Sequence, residues 1–179
     1  MIVRDAVSDD LESIIAIQQN PLVMQHQYRL DPIAYRRLLA QALNRENKSP
    51  IVSSHYSVLE DDGHVVGYVH HIHWDYDTIP LVQCGWNLAP DCWGRGLMYH
   101  ALTELIEGFR SSGVRHVFAD YFYGNARCAR LLKKLGFVYQ SIPLTDRVVD
   151  AWKMKCWRLV IRNRLDLEPM PQSTPIDSK

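Results

Sequence analysis

The 179 residues are 47% apolar and carry 20 Lys plus Arg against 20 Asp plus Glu, a formal net charge of zero. That length suits one domain, and so much apolar residue excludes a disordered chain. The balanced charge argues against a nucleic-acid binder, no stretch approaches the roughly 20 apolar residues of a membrane span, and Met1 to Asp10 lacks the apolar run of a secretory signal. Ile2 to Arg4 reads as a first strand. Ser8 is placed to cap a helix with Asp9 and Asp10 in its first turn, and Leu11, Ile14, Ile15 and Gln18 follow at helical spacing until Asn20-Pro21. Leu22 to Leu30 is irregular. Asp31-Pro32 then reads as an N-cap with proline in the first turn of a helix running to about Arg45.

The middle turns to strand chemistry. Ser53 to Glu60 and Val65 to Trp74 flank the turn signal Asp61-Asp62-Gly63 and form a hairpin; Leu81 to Leu88 is a third strand. Leu97, Ala101, Leu102, Leu105, Ile106 and Phe109 make one face of a helix that ends at Ser111-Ser112-Gly113. Val117 to Phe122 is a strand, Asn125 to Leu135 a helix stopped by Gly136, and Phe137 to Ile142 and Lys155 to Ile161 are closing strands. The Pro- and Ser-rich run from Pro169 reads as a mobile tail behind a single domain of residues 1–168. The order predicts an α/β fold with helices on both faces of the sheet. Cys84, Cys92, Cys128 and Cys156 lie 8, 36 and 28 residues apart, which matches neither a Cys-x-x-Cys pair nor zinc ligand spacing. They read as reduced thiols of a cytoplasmic protein.

The chemistry concentrates after the third strand. Val82 to Pro90 leads into Asp91-Cys92-Trp93-Gly94-Arg95-Gly96 and then a helix N-terminus. Glycines let the backbone approach an anion, first-turn N–H groups are unpaired, and the helix dipole favours negative charge, so this is a candidate phosphate site to which Arg95 adds a charge. It is neither a P-loop nor a full Gly-x-Gly-x-x-Gly, since Tyr99 stands at the third position. A tight turn that binds nothing explains the loop alone equally well.

Two segments together say more. Leu88-Ala89-Pro90-Asp91-Cys92-Trp93-Gly94-Arg95-Gly96 resembles the acetyl-CoA motif of the GNAT N-acetyltransferases, and Tyr123 to Phe137 resembles the motif that follows it. The Trp-Gly-x-Gly form and the helix start at Asn125 are similar to the branch containing the ribosomal-protein N-terminal acetyltransferases. The resemblance implies a GNAT-type central mixed, mostly antiparallel sheet, acetyl-CoA as acyl-donor cosubstrate, and transfer to a primary amine by direct attack. It implies that Trp86, Asn87 and Leu88 pair their backbone with the pantetheine arm, that Trp93 belongs to the cofactor site, and that Gly94, Arg95, Gly96, Leu97, Met98 and Tyr99 hold the pyrophosphate with backbone N–H groups. Asn125 contacts the pantetheine or orients the transfer, Cys128 lies near the cofactor sulfur, and Arg130 reaches the phosphates or is a solvated helix residue.

Departures from the pattern bear on catalysis. Met98 replaces a usual Gly or Ala, and it either points away from the cofactor or narrows the loop. Gln83 stands where many relatives carry a glutamate base; an amide holds a water but takes no proton. Leu132 stands where many carry a tyrosine acid. Cys128 replaces the branch's serine, and its place at a helix N-terminus favours thiolate. It is a candidate catalytic residue with Gln83 and Asn125, against a cysteine that merely packs. Other proton acceptors are Asp75, Asp77, Asp120 and the strand histidines His70, His71 and His73, of which His71 and His73 share a face. Two such ligands without a third do not make a metal site.

Gln25 to Arg29 and the aromatic, acidic His73 to Pro80 are the expected acceptor walls, suited to a cationic amine on a small molecule or a protein N-terminus. An ordinary polar loop fits the second equally. A GNAT-fold acyl-CoA binder with little transferase activity is the alternative, and an α/β interaction module a more remote one. Lys155 to Ile161 fits an edge strand that forms a homodimer, or burial within one subunit.

Overall fold

The computed structural model describes residues 1–27, 31–44, 52–76, 79–122, 124–139 and 154–160. The elements in chain order are β1 (Ile2–Asp5), α1 (Leu11–Gln19), α2 (Pro21–Met24), α3 (Pro32–Leu43), β2 (Val52–Asp61), β3 (His64–Tyr76), β4 (Ile79–Leu88), α4 (Leu97–Ser111), β5 (His116–Phe122), α5 (Ala126–Lys134), β6 (Val138–Tyr139) and β7 (Met154–Val160). The seven strands form one sheet in the order β1-β2-β3-β4-β5-β7-β6. β4 and β5 are parallel, because α4 carries the chain back across the sheet between them; every other neighbouring pair is antiparallel. The tail from Pro169 and the continuation of β6 to Ile142 lie outside the described residues.

Local chemistry accounts for the elements. Asp31 caps α3 through its side chain, which accepts from the Ala34 N–H at 2.8 Å, with Pro32 in the first turn. The β2–β3 turn places both Asp62 and Gly63 at positive φ, 54° and 75°, as a two-residue hairpin turn requires. At the first helix the expectation for Ser8 needs correcting. Its hydroxyl donates to Asn44 Oδ1, and Ser8–Asp10 is a separate 3₁₀ turn before α1. Asp10 does the anchoring instead. It accepts from the Val7 N–H and, through both oxygens, from Arg4 at 2.8 and 2.9 Å, which ties β1 to the start of α1. The Arg4 guanidinium holds this nearly buried carboxyl below its ordinary pKa.

Each sheet face has its own core. Val69, Val82, Leu102, Phe109, Val117 and Leu132 pack α4 and α5 onto one face. Ile14, Ile17, Tyr35, Leu39, Val58 and Tyr68 pack α1 and α3 onto the other. The Lys155 to Ile161 segment falls on β7, which is paired to β5 on one side and to β6 through Trp157 and Arg158 on the other. Those positions are interior to the sheet, so the reading as a free edge strand does not hold there. No helix among the described residues is long and apolar enough to cross a membrane.

The β3 histidines divide between the faces. His71 is buried against Phe109 of α4, with Nε2 3.1 Å from Ser57 Oγ and Nδ1 2.8 Å from His73 Nε2. His55 of β2 stacks beside it at 5.5 Å. His70 faces the other way, stacked 4.4 Å from Tyr56 and 2.7 Å from Ser54 Oγ. Among the described residues no group of three His, Cys, Asp or Glu is arranged to hold a metal ion. Burial pushes His70 down to about 4 and His71 down to about 3, and it lowers His73 too. An unfolded histidine takes a proton near pH ~6.5 while these stay neutral, so stability is complete above that pH and is lost as pH falls toward the folded values. By about pH 5 the loss reaches up to ~2 kcal/mol for each of His70 and His71. Urea unfolding at about pH 7 and about pH 5 tests this: His71→Gln should lose roughly 2 kcal/mol less between the two than the parent protein, and equal losses would contradict it.

Candidate functional site

β4 and β5 are paired only from Leu81↔His116 to Cys84↔Ala119. Beyond that point Gly85–Leu88 and Asp120–Phe122 diverge, and a cleft of about 770 Å³ opens between them and runs through the sheet. The edge of β4 from Gly85 to Leu88 no longer pairs with β5 there, which gives an extended ligand with amides of its own a strand edge to lie against. The α4/α5 side of the cleft is lined by Gly94, Gly96, Tyr99, Asn125 and Cys128, and the α1/α3 side by Gln18, Gln27, Tyr35, Tyr56 and His70.

The loop from β4 to α4 is built for close approach. Gly94 and Gly96 both have φ of 78°, a left-handed conformation that side chains resist. A Cβ placed on Gly94 meets nothing within 4 Å, so the space before it is open. The first main-chain bond of α4 runs from the His100 N–H to Gly96 O, which leaves the N–H groups of Leu97, Met98 and Tyr99 without an intrahelical acceptor. Three cations of α5, Arg127, Arg130 and Lys134, line the cleft beside this helix end. The Arg127 guanidinium sits 4.4 Å over the Trp93 ring, and the Lys134 ammonium 3.9 Å over Tyr99. This loop, helix end and cation set fits a diphosphate-bearing cosubstrate such as acetyl-CoA.

Several expectations change here. Arg95 does not face the cleft: it pairs with Asp61 at 2.8 Å and fastens the loop to the β2–β3 turn. Met98 buries its side chain in the α4 core, so it does not narrow the loop. Leu97 also packs against that core, which leaves its backbone as the part available to an anion. Trp93 donates its indole N–H to Leu88 O at 2.8 Å and so braces the end of β4. Trp86 lines the cleft and packs on the same core. The Asn87 side chain turns to the opposite wall: it donates to Gln18 Oε1 at 2.8 Å and to Tyr68 Oη at 2.5 Å and accepts from Gln27 Nε2. Only its backbone faces a ligand paired to β4. Leu132, where a tyrosine acid was sought, is fully buried in the core.

Gln83, Asp120, Asn125 and Cys128 come together in the cleft. Gln83 Nε2 donates to Asp120 Oδ1 at 3.4 Å. Asn125 caps α5, its side-chain oxygen accepting from the Cys128 N–H at 3.1 Å. The helix N-terminus favours thiolate at Cys128, but burial acts against it. Burial, with the Asp120 charge adding to it, pushes the thiol up to about 12, so it is a neutral S–H. Asp120 is itself raised by burial, against the lowering effect of the Gln83 hydrogen bond.

Of the expected acceptor walls, His26 and Gln27 line the cleft; residues 28–30 lie outside the described set, as do Asp77 and Thr78. His73 is on the other face, edge-on to Phe109 at 5.5 Å, and takes no part. The tyrosines Tyr35, Tyr56 and Tyr68 and the cations Arg127 and Lys134 were missed. The tyrosines scatter over α3, β2 and β3 and are united only by the sheet. The cations had a signal: Arg127, Arg130 and Lys134 follow one another at helical spacing just after a candidate phosphate loop.

Comparison with known proteins agrees with this geometry. No curated protein matches the sequence. Among solved structures, a ribosomal-protein-S5-alanine acetyltransferase from Vibrio fischeri is 20% identical with a TM-score of 0.68, the match covering 93% of this chain and 94% of that one. A ribosomal-protein-alanine N-acetyltransferase from Brucella melitensis is 20% identical with a TM-score of 0.64 over 90% of this chain and 100% of that one. A putative acetyltransferase from Salmonella typhimurium, solved with acetyl-CoA, is 21% identical with a TM-score of 0.64 over 97% and 99%. These likenesses show the shared fold. The family model described as an acetyltransferase (GNAT) domain matches residues 1–138, well over half of the chain, and the protein therefore belongs to the GNAT acetyltransferase family, whose members use acetyl-CoA.

Proposed function

We propose that this protein transfers an acetyl group from acetyl-CoA to a primary amine, on a protein N-terminus or a small molecule. The observation that carries the reading is the opening between β4 and β5, which leads from the end of β4 to the Gly94–Gly96 loop and the first turn of α4. The edge of Gly85–Leu88 pairs with the amide-bearing arm of the cosubstrate. The N–H groups of Leu97–Tyr99 take its diphosphate, with Arg127, Arg130 and Lys134 adding charge. Acetyl-CoA supplies the activated acyl group. The rest of the chemistry is positioning, a donor for the departing sulfur, and a route for the amine proton.

Cys128 is the donor. As a neutral thiol in the cleft it has a proton to hand to a departing thiolate, which a thiolate would lack. Asn125 is a positioning residue that holds the α5 end carrying Cys128. The same burial makes Cys128 a poor nucleophile, which supports direct attack by the amine over an acyl-enzyme. An α-amine, with a pKa of ~7.7–8.0, is partly neutral near pH ~7, whereas a lysine amine at ~10.4 must give up roughly 4 kcal/mol to become so. The names of the Vibrio and Brucella structures agree with an α-amine acceptor. We place the reaction in the cytoplasm, where free thiols such as Cys84, Cys92 and Cys128 stay reduced.

Acetyl-CoA and CoA at ~100 times their dissociation constant should each add about 2.7 kcal/mol of stability, visible as a higher melting midpoint, and ATP should add none. Gly94→Val puts a branched side chain on a left-handed residue that faces the cleft, and it should abolish the shift. A parent protein with no shift at millimolar acetyl-CoA would refute the assignment of the cleft. For the donor, Cys128→Ala should lower kcat by ~100-fold while leaving KM for acetyl-CoA in place, and Cys128→Ser should recover most of that loss. Unchanged turnover in Cys128→Ala would remove Cys128 from the chemistry. Binding without acetylation of any peptide or small primary amine would instead mark the protein as an acyl-CoA binder.

A further inference from the structure

We propose that the carboxylate of Asp120, held in place by the side-chain amide of Gln83, is the general base that accepts the proton shed by the attacking amine. The proposal rests on the transferase reading above and names the group that reading leaves open.

Its first support is position. Ala119 makes the last pair with β4, so Asp120 is the first residue of β5 beyond the split and stands at the vertex of the cleft. It is the one carboxylate among the described lining residues. Gln83, one residue before the last paired position of β4, reaches across with its amide N–H 3.4 Å from Asp120 Oδ1. An amide that donates to the carboxylate steers it without competing for its proton. His70 also lines the cleft, but its Nε2 lies 2.7 Å from Ser54 Oγ and its ring is stacked on Tyr56.

The second support is electrostatic. Gln83 from β4 bonds the carboxylate and Cys128 from α5 feels its charge; Arg127 and Arg130 of α5 and His70 and Tyr68 of β3 line the same cleft, and its register partner on β7 is Cys156. Burial lifts the carboxyl above its ordinary value, which makes it a better base, and its charge in turn lifts the Cys128 thiol. The Asp120 charge therefore reaches the Cys128 thiol directly.

The proton balance closes with these two residues. The acceptor arrives as an ammonium and releases one proton to solvent. As its nitrogen bonds to the acetyl carbon and the carbon–sulfur bond breaks, the nitrogen gives its second proton to Asp120, and Cys128 gives its S–H proton to the departing sulfur. The Asp120 carboxyl then returns a proton to the Cys128 thiolate. The sum is ammonium plus thioester giving amide, thiol and one proton in solvent, with both residues restored.

The test uses the full chain with acetyl-CoA and two acceptors, a short peptide with a free α-amine and a small primary monoamine. Asp120→Asn should lower kcat by ~100-fold or more while the acetyl-CoA melting shift stays that of the parent. Gln83→Glu combined with Asp120→Asn moves the carboxylate across the pair and should recover at least ~10-fold of the loss. A nuclear magnetic resonance titration of the parent protein should show the Asp120 carboxyl ionising above the usual aspartate range. Parent-like turnover in Asp120→Asn, loss of its acetyl-CoA shift, no recovery in the double variant, or an ordinary Asp120 titration would each overturn the proposal while leaving the transferase reading standing. A parent protein that binds acetyl-CoA and acetylates neither acceptor overturns the transferase reading and this proposal with it.

Discussion

Two neighbouring strands that stop pairing leave main-chain donors and acceptors that must find partners elsewhere, because such groups are costly to bury unpaired. β4 and β5 do this after Cys84 and Ala119. The rest of the site follows from that split. It opens the sheet so that one ligand can be reached from both faces. It points the end of β4 at the glycine loop and at the first turn of α4. It exposes Asp120 at its vertex and leaves room beside Cys128 at the start of α5.

Several side-chain contacts keep the split in shape. Trp93 bonds to the Leu88 carbonyl, Arg95 pins the loop to Asp61, and Arg127 covers the Trp93 ring. On the opposite wall Asn87 joins β4 to Gln18 of α1, to Tyr68 of β3 and to Gln27 beyond α2. Burial raises the phenols of Tyr35, Tyr56 and Tyr68, so they stay neutral and serve as hydrogen-bond groups. A change at the end of β4 is therefore felt by the α1–α2 wall, where the acceptor would lie. The link runs through half-buried amides of Gln18, Gln27 and Asn87 and the buried phenol of Tyr68.

Much of the fold is legible because it rests on local rules. Asp31-Pro32 announces a cap, Asp62-Gly63 a hairpin turn, and the Leu97 to Phe109 pattern a helix packed on one face. The loop glycines are legible for the same reason, since their left-handed backbone is a property of a few consecutive residues. What was not legible depends on partners far away in sequence. The direction of Arg95 is set by Asp61, 34 residues earlier, and that of Asn87 by Gln18, 69 residues earlier. At Cys128 a helix-end argument sees the dipole but not the burial or Asp120, which push the thiol the other way. His73 was given to the acceptor site as the start of the loop after the hairpin, but β3 runs on to Tyr76 and sets the His73 ring against Phe109 of α4.

The most direct test of the account is a map of backbone amide shifts in the isotope-labelled protein as acetyl-CoA is added. The largest changes should fall on Gly85–Leu88, on Gly94–Tyr99 and at the start of α5 around Cys128, with His55 and His73 on the α4-facing side of β2 and β3 little affected. Saturable changes centred away from the β4–β5 split, with Gly85–Leu88 unmoved, would contradict it.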